Sequence, residues 1–590
     1  MIHLHHGQLM KLLASIVIAL LECTMVSPAF AADRFWVGSG ATLPLLNCWE
    51  CVNNWATTPT GAGGQTVPGS ADRAIFTKGT GARNAIIRTK VTLQALELNN
   101  LFTGSLLQGT GSISIIGLKG MRVGSGRFIG GNATISVSGS YVQTGGLVTG
   151  IMNNFAVSGA VTIGVNTKHT GTQNVFVSTG TLIMDGSGSQ TLTLSGTIVK
   201  LQNLTVRNTG QSATNSVIIA GVPLNLSGSL TVTQGKLDLA TNSQAMNVRN
   251  AITVAGTSRA SISTNSNITS SGAVTVTSPG TIAITAGTWT LNGKDNQIVN
   301  LGGGALYNVT INNTGTASAN SIIASGASLA MSGALTVTQG TLNLYTNSKT
   351  LTVDGNATLA SSALALLSGA TMNFGGDLTV GSLATFNHAR GTVTLKGTNQ
   401  TLNGTIGVFN LTKSVTTART LTFTAGTTTT VNGTLTLAGG SCSALLSLRS
   451  STAGTQWTVN PSAASLASVD LKDSNNANAT KYNYTGVNSG NNTNWNNTSD
   501  CNASSSSSSS TATASTQAGG GGRGGGRGYA PKQSTTQPSV PRMTPKELAK
   551  QKAMKKTEKE KPAPKVKSKA KSMSKSKSMS KSMSKSKSKK

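Results

Sequence analysis

Leu230-Thr-Val-Thr-Gln-Gly-Lys-Leu-Asp-Leu239 holds the pattern that decides the fold. Leu230, Val232, Leu237 and Leu239 alternate with Thr, Gln or Asp, and Gly235 breaks the run. A period of two means a short strand with one buried face. Val393 and Leu395 alternate in the same way with Thr392, Thr394 and Lys396. Gly, Asn and Ser mark turns every 8 to 12 residues or so. No sustained helical period runs between residues 33 and 500.

Working outward, the same text returns. Thr231-Val-Thr-Gln-Gly235 recurs as Thr336-Val-Thr-Gln-Gly340, and Leu237-Asp-Leu-Ala-Thr-Asn-Ser243 as Leu342-Asn-Leu-Tyr-Thr-Asn-Ser348. Asn203-Leu-Thr-Val-Arg-Asn-Thr-Gly210 matches Asn308-Val-Thr-Ile-Asn-Asn-Thr-Gly315, an offset of 308 − 203 = 105. A third copy of the Asn-apolar-Thr mark stands at Asn410-Leu411-Thr412. A second mark appears three times, as Gly180-Thr-Leu-Ile-Met-Asp-Gly186, Gly287-Thr-Trp-Thr-Leu-Asn-Gly293 and Gly391-Thr-Val-Thr-Leu-Lys-Gly397. Each is followed by a glutamine: Gln190, Gln297 and Gln400. Self-similarity at a fixed spacing is the signature of a repeat architecture.

The composition narrows the fold class to all-β. Among 590 residues, 69 are Gly, aromatics make up 4% and charged residues 11%, against roughly 25% charged in an average globular protein. Few large aromatics and many Ala, Val, Ile and Leu suit the thin core of an elongated parallel β-solenoid (β-helix); tandem β-sandwiches are the alternative. At about 20–25 residues and about 4.8 Å per coil, residues 91 to 445 make a rod on the order of 70–90 Å long. A solenoid exposes a strand edge at each end, so caps are expected over 32–90 and 446–501. Five of the six Trp residues fall in those stretches.

Residues 1–31 read as a Sec signal peptide. An apolar run from Leu12 to Leu21 follows Lys11, and Ala29-Phe30-Ala31 gives a small-x-small cleavage pattern. The run is about ten residues, too short to cross a bilayer as a helix. Glu22 argues against lipidation at Cys23. Four cysteines remain, Cys48, Cys51, Cys442 and Cys501. An even number after export suggests two disulfides with three possible connectivities. The pairing local to each end, Cys48–Cys51 and Cys442–Cys501, is expected; no second CxxC supports a zinc or redox site.

Beyond Cys501 the chain changes character. A Ser/Gly/Arg-rich linker over 502–543 precedes a Lys/Ser-rich tail over 544–590, both expected to be disordered because they lack apolar surface to bury. A short helix over 545–561 is predicted from Thr544 as N-cap, Pro545 and Glu547. From Arg523 onward there are 22 Lys+Arg and 3 Glu, 22 − 3 = +19 of the chain's +31. Such a segment attracts polyanions in a salt-dependent way. The candidates for that contact are Arg523, Arg527, Lys565, Lys567, Lys569, Lys571, Lys575, Lys577, Lys581, Lys585, Lys587, Lys589 and Lys590. With Tyr529 as its one aromatic, the tail lacks a platform for reading bases, so no sequence-specific nucleic acid is expected.

Catalytic chemistry is not signalled. Of the twelve carboxylates between residues 32 and 500, the close ordered pair is Asp470 and Asp473, which suits a turn in the closing cap better than acid–base work. His169 and His388 sit in no nucleophile or metal motif, and each is expected at the surface or in a turn. No cofactor or metal site is expected.

Phe35-Trp36-Val37-Gly38, Asn54-Trp55, Val67-Pro68 and Asp72 together resemble the start of secreted bacterial β-strand-repeat surface proteins of adhesin-like type. Ser450-Ser-Thr-Ala-Gly-Thr-Gln-Trp457, Val469-Asp-Leu-Lys-Asp-Ser-Asn475 and Asn488-Ser-Gly-Asn-Asn-Thr-Asn-Trp495 resemble their closing module. The resemblance spans about residues 33 to 496. It implies a rod at the cell surface or outside the cell; the scarcity of catalytic groups points to a non-catalytic one, and with no further apolar run of 18 residues no integral membrane span is expected in the mature chain. The rod's faces would meet glycans or neighbouring cells; the basic tail departs from that family, and its charge is what points to anionic envelope polysaccharide. The alternatives from the residues alone are a secreted non-specific polyanion- or DNA-binding protein and a β-helix polysaccharide lyase or hydrolase.

Overall fold

The computed structural model describes residues 32–38, 48–77, 84–164, 176–195, 199–210, 215–256, 260–360 and 365–501. The expected export signal, the linker, the tail with all its candidate basic residues, the predicted helix 545–561 and His169 lie outside them. The described residues form one parallel β-solenoid of about 18 turns. Parallel pairing between successive coils excludes the sandwiches, which need antiparallel sheets.

Each coil lays down three short strands, one on each of three faces. Ser216–Gly221, Leu224–Leu226 and Leu230–Gln234 pair in register with Lys236–Asp238, Met246–Val248 and Ile252–Val254 of the next coil. We call these faces 1, 2 and 3 in that order. The alternation read from the sequence sets the packing. Leu230 and Val232 are buried over Ile252 and Val254, while Thr231 lies outward over Thr253. The core is a narrow stack of Leu, Val and Ile running from Trp36 to Tyr484.

The 105-residue unit is not a whole number of coils. From Asn203 to Asn308 the chain makes fourteen strand positions, counting the bridges at Ala305 and Leu306. From Asn308 to Asn410 it again makes fourteen. Fourteen positions on three faces are four coils and two strands. The Asn-apolar-Thr strand therefore lies on face 3 in the first unit, face 2 in the second and face 1 in the third.

The units carry their own brackets at the corners. Gln190 accepts from the Gly186 N–H and donates to the Val157 and Gly159 carbonyls of the preceding coil. Gln297 does the same with Gly293, Ser270 and Gly272, and Gln400 donates to Phe374 and Gly376. Asn203, Asn308 and Asn410 each accept a backbone N–H from the next coil, at Ser229, Ala334 and Thr434. The repeated marks are thus the polar corners that join one coil to another.

At the N-terminal end, Trp55–Ala56 pairs antiparallel with Asp33–Trp36 and covers the edge from which face 1 begins. Trp36, Trp49, Trp55, Phe76 and Phe102 pack there with ring centroids 4.7 to 5.6 Å apart along the cluster. At the other end, Trp457 stacks flat on Phe423 at 4.0 Å. Parallel ladders run through both segments expected as caps, from Asp33–Trp36 to Trp495–Asp500. Those segments therefore build coils as well as closing the ends.

Candidate binding faces

The outward residue of most three-residue strands is half-exposed, that of a few, Asn225 among them, fully exposed, and successive coils stack it. Thr205, Thr231, Thr253 and Thr275 form one file on face 3. On face 2, Asn225 and Asn247 lead into Thr269, Thr290, Thr310, Thr336, Thr358 and Thr379, ending at Asn403. On face 1, Thr352, Asn373, Thr394, Thr412 and Thr436 follow one another. Spacing is one coil, about 4.8 Å. Such a file offers hydroxyls, methyls and amides, but no group that ionises near neutral pH.

The face 2 file begins at a groove of about 380 Å³ over three coils, lined among others by Lys200, Asn225, Ser227, Asn247 and Arg249. Lys200 precedes Leu201, which pairs with Leu226, so it lies beside Asn225. Arg249 follows the strand Met246–Val248, and its N–H bonds the Leu226 carbonyl. Both cations are exposed. Sequence reading missed this group, because these residues meet only when the chain is written at coil spacings of 25 and 22 residues. The signal present was the recurring apolar-polar-apolar triplet, Leu224-Asn-Leu226 and Met246-Asn-Val248.

The sequence-predicted residues fall as follows. Cys48 pairs with Cys51 and Cys442 with Cys501, at Cα separations of 5.5 and 5.2 Å. Asp470 receives the Arg449 guanidinium and the Ser489 hydroxyl. Asp473, at φ +54°, receives the Asn491 amide and the Gly454 N–H; the Asn491 bond leads in holding its carboxyl below the usual range. Both carboxylates thus serve the closing coils. Asp185 accepts from Ser158 and pairs with Arg207 at 3.2 Å.

His388 is a correction. It was expected at the surface or in a turn, yet it is 3% exposed at the end of the strand Thr385–His388. Its Nε2 bonds the Ala370 carbonyl at 2.7 Å, and burial pushes its pKa down against that bond. The strand carries it inward because it sits two positions beyond buried Phe386.

Among the described residues no group of three or more His, Cys, Asp or Glu is placed to hold a metal ion. No helix among them is long and apolar enough to cross a membrane. Comparison with known proteins found no matching family model, no similar curated protein and no similar solved structure.

Proposed function

We propose that this chain is an exported, non-catalytic, adhesin-like rod of the bacterial cell surface or its surroundings. Its faces make contacts, and its basic tail from Arg523 to Lys590 attaches electrostatically to anionic envelope polymers. The observation that carries this reading is the unbroken outward file on face 2, from Asn225 to Asn403, which spans nine coils. A long regular row of neutral hydrogen-bonding groups suits a surface that touches an extended partner along its length. The excess of +19 in the tail supports attachment by charge.

Cell fractionation with salt washes tests this. The full chain is expected in the cell-bound fraction at low salt and in the wash at high salt. Deleting residues 523–590 is expected to release it at low salt. Unchanged association of the truncated chain at low salt would remove the tail from the mechanism.

A further inference from the structure

The groove at the start of the face 2 file is basic. Lys200 and Arg249 line it, and no carboxylate does. Among the described residues neither cation makes an ion pair. A second surface groove, by contrast, holds Arg73, Lys119 and Arg122 together with Glu97, which pairs with Arg73 at 3.5 Å. Between the two free cations stand Asn225 and Asn247, stacked one coil apart. Asn225 is exposed and donates one amide hydrogen to the Pro223 carbonyl at 3.2 Å. All four residues are set on or beside strands, so their spacing is fixed before any ligand arrives.

We propose that this groove is a binding subsite for a linear polysaccharide containing uronic acids. The inference rests on the reading of the solenoid as a contact surface and names the partner of one face. Lys200 and Arg249 lie two coil rises apart along the axis and two residues apart along the strand direction, about 12 Å between their backbones, comparable to the length of a disaccharide. A chain whose carboxylates recur sparsely among hydroxyls fits two cations with carboxamides between them. The planar Arg249 fork suits a carboxylate, and Lys200 serves as a point charge. Asn225 and Asn247 suit ring hydroxyls, and the threonine file offers the next sugars the same chemistry. A nucleic acid fits less well. Its phosphates are dense, the file beyond the groove is neutral, and no aromatic side chain lines the groove for a base to stack on.

The test uses the full chain and an oligogalacturonate hexamer. Carbodiimide couples the hexamer's carboxylates to lysine amines within reach, and mass spectrometry maps the labelled lysines, so binding at the tail does not mask the groove. Lys200 is expected to label at hexamer concentrations at least tenfold lower than exposed Lys294 and Lys396. Arg249→Ala is expected to abolish that preference while leaving the circular dichroism spectrum unchanged. Labelling of Lys200 no earlier than the two reference lysines would overturn the subsite, as would a preference that survives Arg249→Ala. Competition by inorganic polyphosphate as effective as by unlabelled hexamer would overturn the sugar assignment. None of these results alters the fractionation outcome, which tests the surface rod on its own.

Discussion

Lys413 occupies the inward position that Val206 and Ile311 hold in the other two units, and it is fully buried. Its amine donates to the Gly397 carbonyl at 2.8 Å and to Gln400 Oε1 at 2.6 Å. Burial first, and the Arg419 charge second, pull its pKa from 10.5 down to about 8. Below about 8 the folded and unfolded chains both carry this proton. Between about 8 and 10.5 the folded chain sheds it first, so stability should rise with pH across that window. Lys413→Ile removes a buried charge but strands the Gly397 carbonyl and Gln400 Oε1, so it should lower the thermal midpoint at neutral pH, by a loss on the order of 1 kcal/mol. It should also flatten the alkaline rise. Thermal unfolding of both proteins across the pH range checks this; an equal rise in the variant would assign the effect elsewhere.

Single strands of three residues have little stability alone, so the corner brackets and core fill decide how well coils hold together. Gln297→Ala strands the Gly272 carbonyl and the Gly293 N–H, while the Ser270 carbonyl keeps the Asn292 N–H, and it should cost about 2 kcal/mol. Thr253→Ala on the open face should change stability by less than about 0.5 kcal/mol. Chemical denaturation distinguishes the two, and near-equal costs would show that the bracket does not join coils. A small apolar cavity of about 20 Å³ lies among Trp289, Val299, Leu306 and Met331, where the face 1 strand is reduced to the bridges at Ala305 and Leu306. Val299→Ile should fill it and add about 0.8 kcal/mol. The strands and the 105-residue unit were legible in Leu230–Leu239 and its copies, because period two and repetition survive in plain text. The coil of about 22 residues falls within the expected 20–25, but where each coil begins was not legible, since the longer unit overprints it with fourteen strand positions. The brackets were visible as Gln190, Gln297 and Gln400, but their partners lie one coil back. His388 was misplaced because its side is set by Phe386 and the strand, not by its own polarity. The groove was hidden because its cations come from coils 249 − 200 = 49 residues apart.

A solenoid is stabilised chiefly by neighbouring coils, so its ends are where local loss shows. The bond between Cys442 and Cys501 closes 59 residues, and loop entropy assigns it about 4 kcal/mol. The bond between Cys48 and Cys51, three residues apart, should contribute less than about 2 kcal/mol. Cys442→Ser with Cys501→Ser should therefore speed amide exchange within 446–501 while leaving strands near Leu230–Gln234 protected. Exchange rising equally along the rod would mean that the coils melt as one body. The unit of fourteen strands also governs what tandem duplication can do to this molecule. Each inserted or lost copy would turn everything beyond it by a third of a revolution about the rod's axis, and three copies would bring the far end back to its starting heading. Length variants of such a rod would differ in the compass bearing of their tips as well as in their reach.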